Sequence, residues 1–129
     1  MARVERFEDL EVWQLAREFC NDIFRIMQYE KIAKDYELKK QLNASSGSVM
    51  DNIAEGFERD GRKEFAQFLS ISKGSCGEAR SQLYRAFDRK YVEKEEFEIL
   101  YSKTITLSKS LAGFIGYLKQ SEIKGLKYK

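Results

Sequence analysis

The sequence predicts an all-α protein, folded as an up-down-up-down antiparallel four-helix bundle, and three observations predict it. Proline is absent from the 129 residues, and charged residues make up 34% of them, dominated by the helix-favouring Glu, Lys and Arg. Apolar residues recur at three- and four-residue spacing through four long stretches. No run of alternating apolar and polar residues is long enough for a sheet. The length suits a single domain with one core, so residues 1–129 are read as one unit.

The first helix is expected after Phe7, with Leu10, Trp13, Ala16, Phe19, Cys20, Ile23, Phe24 and Met27 on one broad face. Asp9 is the expected cap, and Glu8, Asp9 and Glu11 oppose the positive end of the helix dipole. A connection over residues 28–35 leads into the central hairpin. Its first limb sets Leu42, Val49 and Ile53 beside a polar flank of Gln41, Ser45, Ser48, Asn52 and Glu55, and ends near Gly56. After a turn at Asp60-Gly61, the second limb carries Phe65, Phe68, Leu69, Ser72, Cys76, Ala79 and Leu83, flanked by Ser75, Glu78 and Gln82, and ends near Arg89. Folding the limbs together at equal depth from the turn places Ser45 near Ser75 and Ser48 near Ser72. Small residues, Ala44, Gly47, Gly74 and Gly77 among them, then face one another and let the axes approach. The same depth matching puts Trp13 near Asn52 and Cys20 near Ser45, so that Asn52 or Glu55 could accept from the indole. The fourth helix starts around Glu93, with Phe97, Leu100, Tyr101, Leu107, Leu111, Phe114, Ile115 and Leu118 at helical spacing. Residues 120–129 read as a basic, frayed tail.

Composition excludes several functions. Histidine is absent, which removes the commonest general base and the ligand sets of bundle metalloenzymes and most zinc sites, so no metal, cofactor or catalytic residue is expected. Cys20 and Cys76 belong to no ligand-spaced pair and read as buried thiols. Ser70-Ile71-Ser72-Lys73 matches a Ser-x-x-Lys nucleophile motif without its companion motifs or its mixed fold. Gly74-Ser75-Cys76-Gly77 lacks the strand and the Gly-Lys-Ser/Thr of a phosphate loop. Ser75-x-x-Glu78 imitates a capping box in the middle of a continuous apolar period. Glu55 and Glu78 are read as half-buried acceptors that fix helix register, since a buried carboxylate needs a partner. No leader pattern and no apolar stretch of membrane-spanning length is seen, so the expectation is a cytoplasmic protein with no membrane role.

The formal net charge is +2, but residues 1–30 hold four basic and seven acidic side chains, a net of −3, and the rest holds +5. Three basic clusters are candidates for nucleic-acid contact: Lys39 and Lys40; Arg59, Arg62 and Lys63; and Arg80, Arg85, Arg89 and Lys90. A solvated helix face with pairs along each helix is the alternative. Tyr29, Tyr36, Tyr91, Tyr101 and Tyr117 offer a second possibility, a protein-interaction surface.

Several words of the sequence resemble the 23S ribosomal RNA intervening-sequence proteins. They are Phe7-Glu-Asp-Leu-Glu-Val-Trp-Gln14; Glu37-Leu38 with Gln41-Leu42; Ser48 followed by Asn52-Ile-Ala-Glu-Gly56; and Glu64-Phe65 through Phe68-Leu69 to Gly74-Ser75 and Glu78. Trp13, Gln41, Asn52, Glu55, Gly56, Gly74, Ser75 and Glu78 are thus read as family-motif positions with structural roles. The resemblance implies an up-down bundle and, by similarity to the bacterial accessory variability proteins of diversity-generating retroelements, a homopentameric ring whose basic surface contacts nucleic acid. Asn43-Ala44 stands where many relatives carry an arginine pair, and the first turn lacks the usual Phe-Pro. The expected function is therefore a noncatalytic, oligomeric RNA-binding bundle, the alternative being a protein-interaction scaffold.

Overall fold

The computed structural model describes residues 4–123 and shows an all-α bundle. A 3-10 turn, Phe7–Asp9, leads into α1 (Glu11–Ile26), the short α2 (Glu30–Lys34), α3 (Tyr36–Glu58), α4 (Arg62–Asp88) and α5 (Lys94–Ile123). The four long helices are those the apolar periodicity predicts. The connection before α3 gains a helix of its own, and α5 runs through residues 120–123, which the sequence reading had assigned to the tail. The rest of that tail, 124–129, lies outside the described residues.

Local chemistry explains the boundaries. Leu10, not Asp9, occupies the position before α1, and no side chain caps it; Asp9 sits in the 3-10 turn, 3.4 Å from Arg6. Asp35 caps α3 by accepting from the Leu38 N–H at 3.2 Å. Gly61, at φ 101, precedes α4 in a conformation that favours glycine. The far end of α4 stops without a glycine. Lys90 takes φ 62, while Tyr91 N–H donates to the Ala86 carbonyl and Lys90 N–H to that of Phe87, the paired bonds of a Schellman stop.

One core runs through the bundle, built on Phe19, Ile23, Ile26, Ile32, Leu38, Leu42, Ile53, Phe65, Leu69, Leu83, Leu100 and Leu107, all fully buried. Val12 and Ile26 join it from α1, whereas Phe24, expected on that face, is 62% exposed. Cys76 is buried and Cys20 half-buried. Burial pushes the Cys76 thiol up to about 11 and also raises Cys20, so both stay protonated at neutral pH.

Where α1 ends and α5 begins, the bundle is clasped by two carboxylates. Asp35 accepts from Tyr91 at 2.8 Å and Arg89 at 2.9 Å, and Glu96 accepts from Tyr29 at 2.8 Å and from Arg25. The Tyr91 hydroxyl and the Leu38 N–H stabilise the charged form of Asp35 and lower its pKa. Lys103 of α5 reaches Asp22 at 2.6 Å and Glu18 at 3.0 Å, closing the α1/α5 side with ion pairs.

Candidate functional site

The α3/α4 seam uses neutral polar groups. The Ser45 hydroxyl donates to Gln82 at 2.7 Å, those of Ser48 and Ser75 share a bond of 2.8 Å, the Ser72 hydroxyl donates to the Val49 carbonyl at 2.7 Å, and Arg85 donates to Gln41. The Asn52 amide donates to the Ser48 carbonyl and hydroxyl. The pairing expected at equal depth is therefore displaced: Ser48 meets Ser75, and Ser45 meets Gln82. Helical side chains lean toward their own N-terminus, which on α3 is away from the turn and on α4 toward it. Contacting residues consequently lie later in both helices than backbone depth alone suggests.

None of the glycines expected in the small-residue stripe makes the close approach; Gly56, outside that stripe, does. A Cβ on Gly56 would stand 2.6 Å from the Phe68 Cβ and 3.0 Å from the Phe65 ring. Gly47 and Gly74 would meet nothing within 4 Å, Gly77 only the Arg80 guanidinium at 3.8 Å, and Ala44 is exposed. The limb ends near Gly56 as expected, α3 running two residues past it to Glu58.

The two carboxylates expected to serve as half-buried acceptors are both exposed. Glu55 pairs with Arg59 at 2.8 Å. The desolvation cost of a carboxylate is avoided by turning it outward. Trp13 packs edge-on against Phe7 at 5.2 Å and under the Arg17 guanidinium at 5.7 Å, with neither Asn52 nor Glu55 as its acceptor. In the Ser-x-x-Lys segment, Ser72 is buried against Val49 while Lys73 is exposed. Among the described residues no group of three His, Cys, Asp or Glu is placed to hold a metal ion, and no helix is long and apolar enough to cross a membrane.

The three basic clusters divide by what already holds them. Arg59 lies between Glu55 and Glu64, over the Phe68 ring at 5.0 Å; Arg85 is bound to Gln41; Arg89 is paired with Asp35. These three are parts of the scaffold. Lys40, Lys63 and Lys90 are exposed and Lys39 half-exposed, with no ion pair among the described residues. Arg62 and Arg80 are half-buried, and the Arg62 Nε and one Arg80 Nη are buried without a hydrogen-bond partner. Lys73, absent from the sequence-based clusters, belongs with them. Its place on the same helical face as both was readable from spacing, since eleven residues separate it from Arg62 and seven from Arg80, close to three and two turns.

The charge excess is also narrower than the sequence reading suggests. Of the +5 beyond residue 30, three belong to Lys124, Lys127 and Lys129, and residues 31–123 carry sixteen basic against fourteen acidic side chains. Local distribution, more than total charge, must therefore define any anionic surface contact.

Comparison with known proteins agrees with this architecture. The family described as 23S rRNA-intervening sequence protein matches residues 8–113. A crystal structure of a protein of unknown function of the S23 ribosomal protein family, from Bacteroides thetaiotaomicron, superposes with a TM-score of 0.74 at 23% identity, covering 81% of this chain and 97% of that one, a likeness of fold. No curated protein matches. The matched span takes in α1 to α4 and most of α5, and with them each of the motif positions from Trp13 to Glu78: the chain belongs to the 23S rRNA-intervening sequence protein family.

Proposed function

We propose that this chain is a noncatalytic, oligomeric helical-bundle protein of the cytoplasm that binds RNA or a ribonucleoprotein through basic surface residues. The observation that carries the reading is the set of cations left without ion pairs, Lys39, Lys40, Lys63 and Lys90 at the surface and Arg62 and Arg80 partly within it, in a family described by its link to 23S rRNA. Phosphate neutralisation by such groups needs no catalytic residue and reads no base. The noncatalytic reading is supported by a sequence without histidine and by the exposure of Glu55 and Glu78. The free thiols of Cys20 and Cys76 suit a reducing compartment. A mobility-shift titration with ribosomal RNA fragments is expected to show binding that weakens steeply with salt; absent or salt-insensitive binding contradicts the reading.

Self-association, a ring of five by the resemblance, is supported by large apolar side chains at the surface of all four long helices: Phe24, Tyr36, Ile71, Tyr84 and Ile99. Light scattering measures the subunit count directly. The same exposed residues favour a second reading, a protein-interaction scaffold without a nucleic-acid role. Co-purification from the native host with and without nuclease separates the two, because only an RNA-dependent assembly is lost on digestion.

A further inference from the structure

The α4/α5 side of the bundle is short of carboxylates. Residues 65–77 of α4 contain none and residues 99–121 of α5 contain none, while the two segments hold Lys73, Lys103, Lys109 and Lys119. Lys103 is turned toward α1, where Glu18 and Asp22 hold it. On α4, Arg62, Lys73 and Arg80 share one face, along about 27 Å of helix at 1.5 Å per residue. That face looks toward α5. Cys76, one turn from both Lys73 and Arg80, donates to the Thr104 carbonyl at 3.4 Å, and Tyr84, one turn beyond Arg80, packs on Phe97 at 5.0 Å and Tyr101 at 6.0 Å. Lys73 and Arg80 are near enough to Cys76 for their charges to act on its thiol. The exposed Lys109 lies about 140° around α5 from Thr104, on the outer crest of that helix and outside this face.

The carboxylates of α4 nearest this face are otherwise directed. Glu64 pairs with Arg59, and Glu78 lies roughly 160° around the helix from Arg80 at 100° per residue. Arg25, Arg59, Arg85 and Arg89 all have acceptors inside the chain, whereas Arg62 and Arg80 each keep a buried nitrogen with none. A guanidinium nitrogen shielded from water and lacking an acceptor is costly unless an outside group completes it.

Resting on the RNA-binding reading, the geometry points to the α4/α5 face as the place where an RNA strand lies, its phosphates on Arg62, Lys73 and Arg80. Tyr84, 46% exposed at the end of the stripe, offers a ring face on which a base can stack. A linear row of cations over this length suits a ligand whose charge repeats along its backbone, and contacts of this kind carry no sequence information.

The test is a fluorescence-anisotropy titration of a labelled single-stranded oligoribonucleotide against the full chain over about 50 to 200 mM salt. Three phosphate contacts predict a slope of log K on log salt of about −2.1, at about 0.7 per contact for a single strand. Lys73→Glu with Arg80→Gln is expected to weaken binding at least about tenfold at the lowest salt and to flatten the slope by about 1.4. Lys31→Glu with Lys34→Glu, at exposed sites on α2 outside the proposed binding set, is expected to change affinity less than about twofold if phosphates sit on α4/α5. Should the first double variant fold poorly by circular dichroism, Lys73→Glu alone, at an exposed site, is expected to reduce binding by about threefold. Unchanged binding in the α4/α5 variants, or an equal loss in the Lys31/Lys34 variant, overturns this placement and leaves the RNA reading intact. No salt-dependent binding by the unmodified chain, or equal competition by polyglutamate, overturns both.

Discussion

On the flank of α4 that meets α3, Ser72, Ser75, Gln82 and Arg85 all have partners within the chain, whereas on the flank that meets α5, Arg62, Lys73 and Arg80 have no ion pair among the described residues. The first flank is mostly neutral and buried, the second cationic and partly open. Neutral hydroxyls and amides can be enclosed cheaply once each has an acceptor, and they then fix how two helices sit together. Charges cannot be enclosed without a counter-charge, so an unpaired cation at the edge of a groove is suited to a partner from outside. One helix thus divides architecture from recognition between its two sides.

The largest blow to the α3/α4 side is expected from Gly56→Val. Its new side chain meets the Phe68 Cβ and the Phe65 ring, neither of which can swing aside, and urea denaturation should show a loss of about 2–3 kcal/mol. Ser45→Ala comes next. It strips the Gln82 amide oxygen of its buried donor, a loss of about 1–2 kcal/mol by the same measurement, with RNA affinity unchanged.

The sequence made the four long helices and most of the core legible because apolar periodicity over twenty or more residues leaves little freedom in which face turns inward. Cys20 also lies close to its expected level, donating to the Ser46 carbonyl at 3.0 Å beside the anticipated Ser45. Pairings across the seam were less legible, since backbone depth ignores the lean of side chains that brings Ser48 to Ser75. Glycines were misread for a related reason: composition marks where small residues are, but only placement distinguishes Gly56, pressed against Phe68, from Gly74, which faces open space. The clusters of basic residues were visible, but their partners were not. Arg85 and Arg89 look like ligand-binding cations until Gln41 and Asp35, distant in the chain, are brought beside them.

That difference between glycines gives a smaller effect of opposite sign. Gly74→Ala adds a methyl where nothing stands within 4 Å, in the interior of a helix, and should raise stability by about 0.5–1 kcal/mol. A fourth change probes the clasp at the end of the bundle. Asp35→Asn keeps a competent cap for α3 but removes the charge that Arg89 and Tyr91 hold. Because the folded state lowers the Asp35 pKa from its ordinary 3.8, its contribution is present above that value and is lost as pH falls through the depressed one. Thermal midpoints of the two proteins should therefore differ at neutral pH and converge on acidification below 3.8.

The division between the flanks is tested most directly by measuring two quantities on two variants, the urea midpoint and the affinity for a labelled oligoribonucleotide at one low salt concentration. Ser45→Ala is expected to lower the midpoint and leave the affinity unchanged, and Lys73→Glu with Arg80→Gln to lower the affinity without lowering the midpoint. Loss of affinity in a folded Ser45→Ala protein, or full affinity in the Lys73/Arg80 variant, contradicts the account.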